Sequence, residues 1–361
     1  MVEAGPTRRV ENLAGARHVK EINAAGRVVM PGFVDSHTHL LWPPAGPEGE
    51  DPRRAVRYMR TATGQRIESR ARQAMEAMAR HGTTTVEVKT GFGPEENVEA
   101  KLLRVLSALG EEPLRTVATF LLRLPEEGRE EALELAIQTL LPRIRRGRLA
   151  HFADVAWGEA PALRPGLKRY LHAAHTLGFR CKIHADRPRP AAAIVEAAAH
   201  RAISVDHLEY GADEEAELLA GAATMATLLP ADSFCRRGPT APARVFADAG
   251  VAIALASNFN LHETPTFNMQ TVVSLATREL GLTTEEAICA ATINGAHALG
   301  LAGDTGSLEC GKSADVLILN AGDYRELAGN FGGNVVRMTI RRGEPIYEEA
   351  AVGPKATQKW P

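Results

Sequence analysis

VVMPGFVDSHTHL, residues 28–40, is an apolar run that ends in two histidines one residue apart. Val29 to Val34 carry no charge and are interrupted only by Pro31 and Gly32; Asp35, His37 and His39 follow. Successive side chains of a β-strand point to opposite faces, so residues two apart share a face. Both imidazoles can therefore address one point from a single strand end, which is a metal-ligand arrangement. The apolar run before them reads as a buried strand, so the pair stands at a strand end and not on an open surface.

Downstream the chain alternates. Residues 51–81 have a helical pattern closed by Gly82, a helix C-cap residue. TTTVEVKTGFG (83–93) is β-branched and ends in glycines, which reads as strand then turn. Helices near 95–109, 129–147, 166–177, 190–200, 212–221 and 240–249 then alternate with strands. The strands are LRTVATFLL (114–122), HFADVAWGE (151–159), FRCKIHAD (179–186), AISVDHLEY (202–210), TMATLLP (224–230) and VAIALASN (251–258). With the opening stretch this makes eight β/α repeats, the signature of an α/β fold of the (β/α)8 TIM-type barrel class. A doubly wound open sheet would carry a glycine-rich phosphate loop after its first strand, and HTHLLWPPAG stands there instead. Two more helices, 266–280 and 284–299, precede a strand-and-turn tail that pairs with the N-terminal residues as a small β-sandwich. The expected division is 31–305 for the barrel, with 1–30 and 306–361 for the small domain.

Bulk properties set the class. The chain has 361 residues and is 45% hydrophobic, ample for a large core. A net charge of -2 gives no extended basic surface for nucleic acid or acidic membrane. Four scattered cysteines without a CxxC pair read as reduced, mostly buried thiols of a cytoplasmic protein. No run approaches the length needed to span a bilayer. A small-molecule substrate is the remaining expectation.

In this barrel class, active sites gather at the C-terminal strand ends. Those ends hold His37 and His39; Glu87, Lys89 and Phe92; Trp157 and Glu159; His184 and Asp186; Asp206, His207 and Glu209; Asn258 and Asn260. His37, His39 and His184 form a three-imidazole set for one Zn2+ or Fe2+, with a coordination position left open. His207 is placed to orient water or polarise a carbonyl. His262 follows strand eight in a loop and can reach the site. Lys89 reads equally as an ion pair with Glu87 or Glu159 and as a catalytic group.

At these residues the chain resembles the amidohydrolase superfamily and, within it, the imidazolonepropionase family. The resemblance is carried by GRVVMPGFVDSHTHL, HGTTTVEVKTGFG, CKIHAD, SVDHLEY, ATLLP, NFN, TINGAHALGL and GSLECGKSADVLILNAGDYREL. It implies an eight-fold barrel plus a small β-sandwich from both chain ends, one catalytic zinc or iron, and a homodimer. It implies hydrolysis of a cyclic amide, imidazolone propionate, to N-formimidoyl-glutamate in histidine degradation. It implies His37, His39 and His184 as ligands, His207 as a catalytic group, and Arg60, Phe92 and Asn260 as substrate-binding positions.

The departures are specific. Asn258 occupies the place of the strand-eight aspartate, and a neutral amide cannot act as a base near neutral pH. Arg187 replaces an acidic or amide residue after His184, TFLLRLPEE lacks the histidine of a GAH segment, and Phe92 replaces a tyrosine. The loop LWPPAGPEGEDP lacks a substrate-binding arginine, and His262 and Glu263 stand for a glycine and a serine. A same-fold hydrolase with another cyclic amide or amine, and a catalytically degenerate metal- or partner-binding homologue, are therefore the alternatives.

Overall fold

The computed structural model describes residues 1–350 apart from 7–9, 11–12, 14–20, 45–51, 94, 126, 158–162 and 186–189. Strand β1 (Val29–Pro31) leaves the quoted stretch for a small sheet, and β2 (Phe33–Asp35) begins the barrel. The barrel continues through β3 (Thr83–Lys89), β4 (Arg115–Leu122), β5 (Phe152–Ala156), β6 (Arg180–Ala185), β7 (Ser204–His207), β8 (Met225–Leu228) and β9 (Ile253–Leu255). These eight strands pair in sequence order and all in parallel, as the repeat count requires. An isolated parallel bridge between Thr38 and Phe259 joins the two end strands. It is reinforced where Asn258 N donates to His37 O (3.0 Å) and His39 N donates to Phe259 O (2.9 Å). The seam of the barrel thus runs through the histidine pair itself.

The second sheet is antiparallel in the order β1, β10 (Val316–Leu319), β11 (Val336–Arg341), β12 (Glu344–Glu348). The small β unit built from both chain ends is therefore present as four strands among the described residues. Pro31 ends β1 and Gly32 lets the chain pass from one sheet to the other, because a Cβ there would stand 2.4 Å from the Thr84 side chain. Gly295, in the helix Ile293–Ala298, packs against β2 so closely that a Cβ would meet the Val34 carbonyl oxygen at 2.6 Å. That contact fixes the strand from which His37 projects.

Some elements differ from the pattern for local reasons. The single helix expected over 51–81 is two helices, Pro52–Thr61 and Gly64–Arg80, because Thr63 accepts from Arg66 N and caps a new start. The turn after β8 contains an unanticipated helix, Pro230–Arg236, with proline in its first turn. Of the four thiols only Cys181 is buried; Cys235, Cys289 and Cys310 are exposed, and all four are free. No helix among the described residues is long and apolar enough to cross a membrane.

Candidate metal centre

His37, His39 and His184 meet at the C-terminal mouth of the barrel, each offering a ring nitrogen within 4.8 Å of the others, and all three are buried. Their ring centroids lie 4.9–5.8 Å apart. The first two come from the segment leaving β2 and the third from β6, so the barrel curvature brings together what 145 residues of sequence separate.

Asp206 fixes the first imidazole: its Oδ2 accepts from His37 Nδ1 at 2.7 Å, which leaves Nε2 as the nitrogen available to an ion. That Nε2 is buried without a hydrogen-bond partner, as is His39 Nδ1. Burial pushes His37, His39 and His184 well below the ordinary histidine range, and the cations Lys89 and Arg123 and the neighbouring imidazoles push the same way. Neutral, buried imidazoles, His37 and His39 each with a nitrogen that lacks a partner, are the donor set a divalent transition metal needs, so the residues present fit such an ion.

Beneath the imidazoles the barrel interior holds five fully buried charges. Lys89 Nζ reaches Asp154 (2.7 Å), Asp206 (3.0 Å) and Glu87 (3.2 Å); Lys182 Nζ reaches Glu87 (2.7 Å) and Asp206 (3.7 Å). Burial alone would raise the Asp206 carboxyl, but Lys182 and Lys89 hold it well below the usual carboxylate range. It therefore stays ionised and keeps its grip on His37. Lys89 is accordingly an interior ion-pair residue with Glu87, Asp154 and Asp206, the structural one of its two expected roles.

His207 ends β7, with Ala185 of β6 opposite it, and its Nε2 lies 3.0 Å from His184 Nε2. On the other side its Nδ1 lies 3.1 Å from Glu209 Oε1 and 3.9 Å from Asp232 Oδ2. Its backbone is in the left-handed region (φ 85°), as is that of Leu208 (φ 70°), a strained conformation that closely packed surroundings hold in place. Asn258 is also left-handed (φ 54°), which asparagine tolerates. Its Nδ2 donates to Asp232 Oδ1 at 2.9 Å, and its Oδ1 is buried without a partner.

The expected substrate-binding positions divide. Phe92 is buried and lies against Trp42 (centroids 5.2 Å), which in turn meets His262 (5.7 Å). Asn260 is buried but spends its amide on its own loop: Oδ1 accepts from the backbone of His262, Glu263 and Thr264, and Nδ2 donates to Asn258 O. Arg60 is more than half exposed and pairs with Glu95. Asp186, Arg187 and Glu159 lie outside the described residues.

Two site residues, Arg123 and Asp232, go unnamed in the sequence reading. Both sit one to four residues beyond a strand end, β4 and β8, so asking what every strand ends in would have found them.

The amidohydrolase family model matches residues 28–346. The chain belongs to the amidohydrolase family. Within it, the chain is 36% identical over 378 residues to the imidazolonepropionase of Symbiobacterium thermophilum, covering 97% of this chain and 86% of that protein. It is 36% identical over 351 residues to that of Porphyromonas gingivalis, covering 91% and 83%. Among solved structures it superposes on the 5-methylcytosine deaminase of Klebsiella pneumoniae liganded with 5-fluorocytosine, with TM-score 0.78, 17% identity and coverage of 92% and 89%. A triazine hydrolase variant follows with TM-score 0.76 and 18% identity, covering 93% and 87%. This amidohydrolase therefore shares its fold with distant deaminases and hydrolases, and its close relationship is to imidazolonepropionases.

Proposed function

We propose that the chain is a metal-dependent hydrolase that opens the cyclic amide of imidazolone propionate, giving N-formimidoyl-glutamate. The observation that carries this is the convergence of three buried imidazoles, kept neutral by burial, with His37 Nε2 and His39 Nδ1 lacking hydrogen-bond partners, in a chain related over nearly its whole length to imidazolonepropionases. One Zn2+ or Fe2+ would be held by His37, His39 and His184; when bound it supplies Lewis-acid polarisation of the carbonyl and makes water more acidic. A homodimer and a cytoplasmic location belong to the same proposal, supported by the family resemblance.

The protein's own groups divide the remaining work. Hydrolysis adds the oxygen of water to the carbonyl carbon and delivers a proton to the ring nitrogen that leaves. Asn258 cannot take the proton, since its amide is neutral. His207 is the group disposed for proton handling, with Glu209 and Asp232 on its Nδ1 side and Nε2 turned to the histidine cluster. Trp42, Phe92 and His262 wall the mouth and exclude water from one side.

Purified protein loaded with Zn2+ or Fe2+ should consume imidazolone propionate, read as loss of its absorbance. His184→Ala should lower bound metal by at least about tenfold and abolish turnover. Intact metal content with no turnover by the loaded wild type would overturn the activity, and wild-type protein that binds no metal would overturn the centre.

A further inference from the structure

We propose that Arg123 binds the anionic group of the substrate, which makes this site selective for a flat heterocycle that carries a carboxylate. The proposal rests on the cyclic-amide reading above and adds to it the residue that confers selectivity.

Arg123 directly follows β4, and its Nη2 donates to His184 Nε2 at 3.0 Å. A guanidinium is permanently charged. Here it stands against an imidazole of a cluster built to receive a divalent cation. Arg123 and such an ion repel each other in a dry site, and the neutral Asn258 supplies no charge to offset them. Among the described residues no carboxylate pairs with Arg123, and its Nε is buried without a hydrogen-bond partner. The carboxylates nearby are engaged elsewhere: Asp206 with His37 and two lysines, Asp232 with Asn258, Thr264 and Arg236. A partly buried cation in these surroundings calls for an anion, and a ligand carboxylate gives the guanidinium a charge-assisted partner.

Two other arginines lie elsewhere: Arg60 is held at the surface by Glu95, and Arg70, whose Nε is also buried without a partner, donates to the Leu41 carbonyl and lies over the Tyr58 ring, whereas Arg123 alone of the three contacts the histidine cluster. The segments after β2, β3 and β9 supply the complement for a ring. Trp42 lies between Phe92 and His262, and its Nε1, like both His262 ring nitrogens, is buried without a partner. Aromatic faces with unsatisfied N–H groups accept a planar, acceptor-bearing heterocycle.

The test compares two ligands that differ only at the end of the side chain, a carboxylate in 3-(hydantoin-5-yl)propionate and a methyl group in 5-propylhydantoin, titrated calorimetrically into metal-loaded protein. Wild type should bind the propionate at least about tenfold more tightly. Arg123→Met should erase that preference while leaving the neutral ligand within about twofold, and Arg123→Lys should retain part of it. Equal loss of both ligands in Arg123→Met, or an unchanged preference in Arg123→Met, would overturn the assignment. Should Arg123→Met not fold, Arg123→Lys decides: an undiminished preference overturns the assignment and a reduced one supports it. Wild type that binds the neutral ligand as tightly as the propionate overturns Arg123's role alone. Wild type that binds neither removes the cyclic-amide reading and this proposal together.

Discussion

Asn258 Nδ2 donates to Asp232 Oδ1 at 2.9 Å, so the amide at the end of β9 and a carboxylate from the helix after β8 form one buried pair. Restoring an aspartate at position 258 would therefore set two carboxylates against each other. Asn258→Asp alone should destabilise the fold by about 1–3 kcal/mol, because a buried hydrogen bond becomes a like-charge contact. Asn258→Asp with Asp232→Asn should recover most of that loss, since donor and acceptor are exchanged. A double-mutant cycle by thermal unfolding measures the coupling, and purely additive losses would show that the two side chains act independently.

The interior charge cluster makes a different demand. Lys89 is fully buried and neutralises Asp154, Glu87 and Asp206 at 2.7–3.2 Å. Lys89→Met should cost about 3–5 kcal/mol in urea unfolding, the usual consequence of leaving buried charges uncompensated. Asp206→Asn acts on the metal centre, because the carboxylate that orients His37 becomes an amide; metal affinity should fall about 10–100-fold. Unchanged metal retention in Asp206→Asn would remove the orienting role.

The eight-strand barrel was legible because each strand is a short β-branched run punctuated by turn residues, and because parallel strands need helical crossovers. His37 and His39 were legible as a pair, since one strand end carries both. His184 and His207 gained weight only from the strand-end rule, which converts chain position into a shared rim. Arg123 escaped because its segment was read for the histidine missing after β4, and Asp232 because the residues after LLP, which form a helix begun by Pro230, were given no element. The Arg60–Glu95 pair depends on side-chain reach between separate segments, and the use of the Asn260 amide on its own loop depends on the turn that loop makes; residue identity encodes neither.

A final expectation concerns pH. Glu99, in the helix Glu96–Leu109, is buried and its Oε1 accepts from Phe92 N at 3.3 Å, so it holds the turn that presents Phe92 to Trp42. Burial pushes its carboxyl up to about 7, against the opposing hydrogen bonds from Thr90, Phe92 and Gly91, with Glu95 adding to the rise. The folded state thus holds a proton that the unfolded chain releases near pH 4.5. Between those values the native state binds more protons, so stability is greatest below about 4.5 and falls as pH rises through about 7. The loss amounts to ~3 kcal/mol once complete. Glu99→Gln keeps an oxygen for Phe92 N and cannot titrate, so its stability relative to wild type should climb over that window and level off above it. Unfolding curves at intervals from pH 4.5 to 8 measure the difference, and a constant offset between the two proteins would mean that Glu99 does not titrate there.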